Sequence, residues 1–220
     1  MRFFPTTVVD DFFPDPDVIS DLARNVEYSE KELQFFPGNV SKERLHQIDR
    51  SIYEFVLDKI VTLFWDPQYH NLTCDCRMDF QKIEPYPDKD HLLNKGTIHS
   101  DIQSVSLAGV IYLNKNPSKD SGTSIYEINN PYYLPRKDYK DALERYNRGD
   151  DVEDIDKIFQ EHYDNFEESV RIQNKYNRLV LYSPELWHSA TTFGEQTRHT
   201  LRIFINYMGS KDQNYPLARR

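Results

Sequence analysis

The sequence lacks the features that would place the chain in a membrane or in an oxidising compartment. Its two cysteines, Cys74 and Cys76, are too close together for an ordinary disulfide, so we expect reduced thiols that serve in packing. The longest nearly continuous apolar run, residues 105–113, is too short to span a membrane. Residues 1–5 lack the apolar region of a signal peptide. We therefore expect a cytoplasmic protein without a membrane segment.

The sequence also lacks motifs that carry other chemistries. It has no Gly-x-Ser-x-Gly turn and no glycine-rich phosphate loop, so serine hydrolases and nucleotide-binding enzymes are not favoured. Its net charge is -9 and no basic cluster is present, so no nucleic-acid partner is expected. Residues 138–168 hold 12 acidic and 4 basic residues. This segment is interpreted as a solvated helical face or, alternatively, as a patch that attracts a basic substrate.

The length and the apolar pattern predict one domain that begins with a helical N-terminal support. At 220 residues the chain is long enough to bury a sizeable core. Apolar residues recur at helical spacing over residues 41–64, and an aspartate suited to a cap precedes residues 16–26, which predicts two helices in a support that spans about residues 14–65. A proline at the first position of the first of them fits a helix start.

Beyond the support the pattern becomes mainly β, which places the chain in the α+β class. Many short strands without helices between them predict a sandwich or jelly roll over residues 74–128 and 178–208. Residues 129–177 lose this pattern and are predicted to be a helical insertion in the sheet. The predicted strands are 74–81, 97–101, 105–113, 124–127, 179–183 and 197–207, and the predicted insertion helices are 138–147 and 151–170.

Three residues of the predicted β core have the types and spacing of metal ligands. His99 and Asp101 form a His-x-Asp pair, and residues i and i+2 share one face of a strand, so both can reach one metal. A second such pair, His162 and Asp164, falls in a predicted helix, where i and i+2 diverge, and is interpreted as a chance match. His188 alone is most simply a surface histidine. With the first pair it completes the 2-His-1-carboxylate set of non-haem Fe(II) oxygenases.

Two arginines follow His188 in the last predicted strand. Strand alternation places Arg198, Thr200 and Arg202 on one face and the aliphatic residues on the other. Because an arginine is costly inside a core unless it is paired, the two guanidiniums are either exposed to solvent or placed against a buried anion. The pattern leaves both interpretations open.

Together these residues resemble the Fe(II)/2-oxoglutarate-dependent dioxygenases, most closely their prolyl-hydroxylase-like branch. That family carries a His-x-Asp pair, a distal histidine and a following basic residue on a double-stranded β-helix, which is a cupin-like jelly roll. Residues 109–115 and 121–126 are similar to its central strand pair, and residues 197–204 to its last core strand. Residues 8–14 resemble the segment that enters its first helix. Apart from this segment, the resemblance covers roughly residues 77–207.

The resemblance implies roles for the candidate site residues. The two histidines and the aspartate would bind Fe(II), and Arg198 would pair with the distal carboxylate of the co-substrate 2-oxoglutarate. Tyr112 matches a tyrosine that helps to hold this carboxylate, although a tyrosine packed in the sheet core fits the sequence equally well. Arg202 is a secondary candidate, because some members carry two arginines four positions apart. No catalytic acid or base beyond the metal ligands is expected.

The implied activity is hydroxylation of an unactivated C–H bond, with O2 consumed, succinate and CO2 formed, and ascorbate as a candidate reductant. The substrate is expected to be a small molecule or a peptide, with an amino-acid or protein side chain favoured on resemblance alone. The insertion falls where family members vary most and is a candidate lid over the iron. Two alternatives remain, a cupin-like metalloenzyme that does not use 2-oxoglutarate and a non-catalytic jelly-roll binding protein.

Overall fold

Two antiparallel β-sheets form the core of the part of the chain that the structure describes. The computed structural model describes residues 5–29, 38–64, 72–85, 92–101, 105–134, 137–148 and 150–210. Its strands are β1 (Thr7–Val9), β2 (Asn39–Val40), β3 (Leu72–Ile83), β4 (Leu107–Tyr112), β5 (Thr123–Ile128), β6 (Phe166–Ile172), β7 (Leu179–Tyr182), β8 (Trp187–Ala190) and β9 (Arg198–Ser210). The major sheet has the order β1-β7-β4-β9-β3-β2 and the minor sheet has the order β6-β5-β8.

The chain passes back and forth between the two sheets. From β4 onward it crosses to the minor sheet at β5, returns at β7, crosses again at β8 and returns at β9. All the paired strands are antiparallel. This arrangement confirms the predicted mainly β class and the cupin-like jelly roll, or double-stranded β-helix.

The helices fall into an N-terminal group and a pair between β5 and β6. They are α1 (Pro16–Asn25), α2 (Leu45–Ile48), α3 (Arg50–Phe64), α4 (Lys137–Arg148) and α5 (Ile155–Tyr163), with a 3-10 helix at Leu92–Lys95. None of the helices in the described ranges has the length and hydropathy needed to cross a bilayer.

The second predicted helix, over residues 41–64, is in fact two helices that begin later. The Ser41 hydroxyl donates to the Glu43 carbonyl and accepts from the Phe80 amide, so this residue joins the sheet region to the support. Asp49 leaves the helical conformation between α2 and α3, and its carboxylate accepts a hydrogen bond from the Ile52 amide at 2.9 Å. This side chain therefore caps α3 at the break.

The larger hydrophobic core lies between the major sheet and the N-terminal helices. Its members without exposed surface include Leu45, Val56, Ile60, Met78, Phe80, Leu201 and Ile203. Each fully buried aliphatic side chain contributes about 1.5–3 kcal/mol, so this outer face of the sheet stabilises the fold. Cys76 is buried in the same core, and both it and Cys74 are free thiols, as predicted.

A smaller core lies between the two sheets and borders polar side chains of β3 and β9. Its buried residues are Ala108, Tyr112, Ile125, Ile172, Val180 and Tyr182. The alternation that turns aliphatic residues outward along β9 turns Arg198, Thr200 and Arg202 to this inner face, and all three are buried. The prediction that the two arginines share a face is confirmed, and their solvent-exposed alternative is wrong.

The predicted helix over residues 151–170 is wrong in its second half. The helix α5 ends at Tyr163, and residues 166–172 form β6, an edge strand of the minor sheet that pairs with β5. Five successive residues inside β6 are exposed, so the strand shows no alternation, and its glutamates and arginine favour a helix by propensity. Pairing with β5 overrides that propensity. The predicted strand over residues 97–101 is reduced to a single bridge at His99.

Candidate metal centre

The two histidines and the aspartate predicted as ligands converge on one point. One potential ligand atom from each of His99, Asp101 and His188 lies within 4.8 Å of the others. The His99 Nε2 is 3.7 Å from Asp101 Oδ1, and the His188 Nε2 is 3.5 Å from Asp101 Oδ2. No second group of this kind is found among the described residues. Three convergent donors of these types suit a transition metal with open positions for other ligands.

Backbone hydrogen bonds hold the two segments that carry these residues side by side. The His99 amide donates to the His188 carbonyl at 3.0 Å, and the His188 amide donates to the His99 carbonyl at 2.9 Å. The Asp101 amide donates to the Pro184 carbonyl at 2.8 Å. Gly96 makes the approach possible, because it adopts a φ of 68° and a Cβ there would lie 3.1 Å from the Ala190 amide nitrogen.

Both histidines have the same ring orientation. The Nδ1 of His99 bonds the Thr97 carbonyl at 2.8 Å, and the Nδ1 of His188 bonds the Leu186 carbonyl at 2.8 Å. A carbonyl oxygen can only accept, so each Nδ1 carries the proton and each Nε2 presents its lone pair to the centre. Outer hydrogen bonds of this kind fix the tautomer of metal-binding histidines. The donor set therefore fits a divalent metal ion such as Fe(II).

The electrostatics of the centre also suit a cation. The pKa of His188 is lowered from 6.5 to about 3, chiefly by burial and also by the nearby His99, so the imidazole is neutral at physiological pH. Burial raises the pKa of Asp101, whereas electrostatic interactions with His99, Arg202 and Arg77 oppose this rise. Neutral imidazole and carboxylate are the forms that coordinate metals.

Arg198 begins β9 and is buried without a counterion. Its side chain lies beside Tyr112, with the guanidinium carbon 5.5 Å from the centre of the phenol ring. Its Nε has no hydrogen-bond partner among the described residues, and burial lowers the pKa of the guanidinium. The Tyr112 hydroxyl is 2.7 Å from the Thr123 hydroxyl. A buried cation without an anionic partner is costly, so the surroundings of Arg198 are suited to an anionic ligand.

Arg202, on the same face, is paired within the protein. Its Nε and Nη2 both lie 2.7 Å from Oδ1 of Asp79, which is directly opposite on β3. Sequence periodicity alone does not indicate that Asp79 opposes Arg202, because that depends on the pairing of β3 with β9. Arg77, on the same strand, was also not identified as a candidate site residue from the sequence.

Tyr182, another residue that the sequence did not single out, connects the metal ligands with the arginines. Its ring centre is 4.4 Å from that of His188. Burial raises the pKa of the phenol; the Asp101 carboxylate raises it further, and Arg198 and Arg202 lower it. Tyr182 and Tyr112, which lies beside Arg198, belong to the same core between the two sheets, so His188 and Arg198 both lie against this core.

The second His-x-Asp pair has a different role. The His162 Nε2 donates to the Ile98 carbonyl at 3.0 Å, and its Nδ1 is 2.7 Å from the Tyr133 hydroxyl. The ring is 2% exposed and is stacked on Tyr139 with 4.0 Å between the ring centres. Neither His162 nor Asp164 belongs to the metal-ligand group. Helix α5 thus supports the segment that carries the first candidate ligand.

Comparison with known proteins supports the fold. A family model described as a family of unknown function (DUF6445) matches residues 4–198. No curated protein matches the sequence.

Solved structures that share the fold include HygX from Streptomyces hygroscopicus, with nickel and 2-oxoglutarate bound. The identity is 10% and the TM-score is 0.51, over 90% of this chain and 82% of that one. A prolyl hydroxylase from Trichoplax adhaerens, in complex with a peptide fragment of hypoxia inducible factor, is 11% identical with a TM-score of 0.50, over 91% and 83%. The resemblance found in the sequence therefore holds at the level of the fold.

Proposed function

The chain belongs to DUF6445, a family of unknown function, and we propose that it is an Fe(II)- and 2-oxoglutarate-dependent dioxygenase. The observation that carries this proposal is a buried polar region beside the inner core, with two complementary halves. One half is the His99, Asp101 and His188 centre, and the other is the buried guanidinium of Arg198, which has no ion-pair partner among the described residues. A metal and a dicarboxylate would satisfy both halves. The fold shared with HygX, which binds nickel and 2-oxoglutarate, supports the proposal.

Each residue then has a defined task. The three ligands hold Fe(II) and leave positions for other donors. Arg198 binds the distal carboxylate of 2-oxoglutarate, and Tyr112, whose hydroxyl is oriented by Thr123, borders that carboxylate. Bound iron would supply O2 activation coupled to conversion of 2-oxoglutarate to succinate and CO2, with ascorbate as an accessory reductant. The protein supplies orientation and an apolar surround of inner-core residues that excludes water.

We further propose that the enzyme hydroxylates an unactivated C–H bond of an amino-acid or protein side chain. The Trichoplax adhaerens prolyl hydroxylase, which shares the fold, was solved with a peptide. Small molecules and peptides are both retained as substrate classes. The proposed location is the cytoplasm, because the described residues hold two free thiols.

The decisive experiment measures succinate released by the purified protein with Fe(II), ascorbate and 2-oxoglutarate, without added substrate. We expect slow uncoupled turnover that the Asp101→Ala variant abolishes. The Asp164→Ala variant is the matched control, because it removes the aspartate of the other His-x-Asp pair and should keep the activity. Equal succinate from the Asp101→Ala variant and the wild type would falsify the metal assignment.

A binding measurement separates the two rivals. A cupin-like metalloenzyme that does not use 2-oxoglutarate predicts no saturable binding of this compound to the Zn(II)-loaded protein by calorimetry. A binding protein without catalysis predicts binding but no succinate. The proposed dioxygenase predicts both.

A further inference from the structure

A second charged cluster lies on the inner face of β3 and β9, among residues to which the proposed function assigns no task. It consists of Arg77, Asp79, Arg202 and Phe204, and it is called the arginine cluster here. In the register of the two strands, Arg77 lies opposite Phe204, and Asp79 lies opposite Arg202. Strand alternation places all four side chains on the same face.

Arg77 is held in place without being fully bonded. Its Nε is 3.4 Å from Oδ2 of Asp79, whereas Oδ1 of the same carboxylate accepts from Arg202. The Nε of Arg77 is buried and has no hydrogen-bond partner among the described residues. Its guanidinium carbon is 4.7 Å from the centre of the Phe204 ring. Arg77 thus shares the Asp79 carboxylate with Arg202, which is closer to it, and the Phe204 ring orients the Arg77 guanidinium.

The cluster lies on the same inner face as a tyrosine beside the metal centre. In the strand register Arg77 is opposite Phe204, Phe204 is opposite Ala108, and Ala108 is opposite Tyr182, whose ring centre is 4.4 Å from that of His188. Arg198 is buried and the side chain of Arg202 is 9% exposed, whereas that of Arg77 is 41% exposed. Along this inner face the guanidiniums therefore run from the buried interior to solvent, with Arg77 outermost.

We propose that Arg77, oriented by Asp79 and Phe204, is the anion-binding subsite for the substrate that is hydroxylated. The ligand chemistry is a carboxylate or a phosphate group that the guanidinium can contact with its two terminal nitrogens. This inference rests on the proposed function, because it assigns Arg198 to 2-oxoglutarate and leaves Arg77 for the second reactant. It also opposes the alternative in which the acidic segment, residues 138–168, selects a basic substrate.

The test uses Zn(II)-loaded, 15N-labelled protein saturated with 2-oxoglutarate, so that the Arg198 pocket is blocked. Sodium acetate, methyl phosphate and neutral acetamide are the probes, at constant ionic strength, and the amide signal of Phe204 and the Nε–H signal of Arg77 are the readouts. We expect saturable shifts with one or both anions and none with acetamide. The anion that binds with the higher affinity shows whether the subsite prefers a carboxylate or a phosphate group.

Variants make this titration specific. The Arg77→Gln variant should weaken binding of the preferred anion at least ~10-fold, as loss of a charge-assisted contact predicts, and Arg77→Lys should restore part of it. The Arg50→Gln variant is the matched control, because Arg50 is an exposed arginine of α3 paired with Glu54, and it should behave as the wild type. The Phe204 signal reports binding in all of these variants.

A second arm measures succinate released in the presence of N-acetyl amino acids and of their amides. Stimulation by an acid but not by its amide, lost in Arg77→Gln, supports the proposal. Three results would overturn the proposal. The first is that the wild type shows no anion-dependent shifts, and the second is that Arg77→Gln shows the same shifts as the wild type. The third is that a neutral or basic compound stimulates succinate release equally in the wild type and in Arg77→Gln.

A different result would contradict the proposed function, namely that 2-oxoglutarate does not bind to the same samples. The titration is therefore repeated without 2-oxoglutarate, so that the subsite is tested in either case.

Discussion

Two arginines and two histidines are buried among the described residues, and each pair divides in the same way. Arg202 is bonded to Asp79, and both ring nitrogens of His162 have protein partners. By contrast, Arg198 has an Nε without a partner, and the Nε2 of His188 faces only the Asp101 carboxylate, at 3.5 Å. The polar atoms of Arg202 and His162 are thus hydrogen-bonded within the protein, whereas Arg198 and His188 each have a nitrogen available to a ligand.

The difference separates structural residues from candidate ligand-binding residues. A buried polar group without a partner destabilises the folded protein by about 1–3 kcal/mol, and a charged group by more. Such a group is expected where a bound ligand or metal ion supplies the missing partner. Arg198 lies beside Tyr112 and His188 lies beside Tyr182, and both tyrosines belong to the same core between the sheets. The open atoms of Arg198 and His188 are therefore interpreted as belonging to one site.

The His188→Ala substitution is expected to have the largest effect. It removes one of three converging donors, so the affinity for Zn(II) or Fe(II) should fall more than about 1000-fold, beyond the roughly 10- to 100-fold cost of losing an outer hydrogen-bond partner. The His162→Ala variant sharpens the comparison, since it should reduce stability while keeping metal affinity within about 10-fold of the wild type. Calorimetric titration of the metal-free proteins measures both. A similar loss of affinity in the two variants would remove the distinction between these histidines.

The Arg202→Leu substitution is expected to be the next largest effect, and it acts on stability. It leaves the buried Asp79 carboxylate without its main partner, so the free energy of unfolding should fall by about 3 kcal/mol in urea denaturation. Adding Asp79→Leu should recover most of this loss, because an apolar pair replaces the ion pair. No recovery in the double variant would mean that the pair is not the source of the stability.

The Arg198→Leu substitution should show the opposite pattern. Affinity for 2-oxoglutarate should fall about 100-fold, which corresponds to about 2.7 kcal/mol for the lost charge contact. The ligand-free protein should keep or gain stability, because an unpaired buried cation becomes apolar. Calorimetry and urea denaturation measure the two effects, with Arg202→Leu as the matched variant. If Arg202→Leu weakens 2-oxoglutarate binding more than Arg198→Leu does, the roles of the two arginines are reversed.

Much of the fold and the composition of the metal centre were accessible from the sequence, because both depend on local periodicity. Alternation on a strand placed Arg198 and Arg202 on one face. His99 and Asp101 were predicted to share a face of a strand, although the structure has only a bridge at His99. Helical spacing excluded His162 and Asp164 for the same reason. These patterns require no knowledge of which strands pair.

The remaining features depend on contacts between distant segments. The partner of Arg202 is Asp79, 123 residues away in sequence, and only the β3–β9 register brings them together. The strand β6 was taken for a helix, because its exposed edge position removes the alternation that marks a strand. Sequence periodicity thus indicated the two arginines but could not say which of them already has a partner.

The smallest expected effect concerns the pH dependence of stability, and it tests whether the surroundings of His162 keep its imidazole neutral. Burial lowers the pKa of His162 from 6.5 to about 4 in the folded protein, so the unfolded chain binds more protons between these values. Stability should therefore fall as the pH falls from 6.5 to 4, by about 2 kcal/mol at pH 5 relative to pH 7. The His162→Gln variant should lack this contribution, because glutamine does not titrate but can donate to Ile98. Urea denaturation of both metal-free proteins at pH 7 and pH 5 isolates the difference, since His188 titrates in both. Parallel losses of stability would show that the imidazole of His162 is not held neutral by its surroundings.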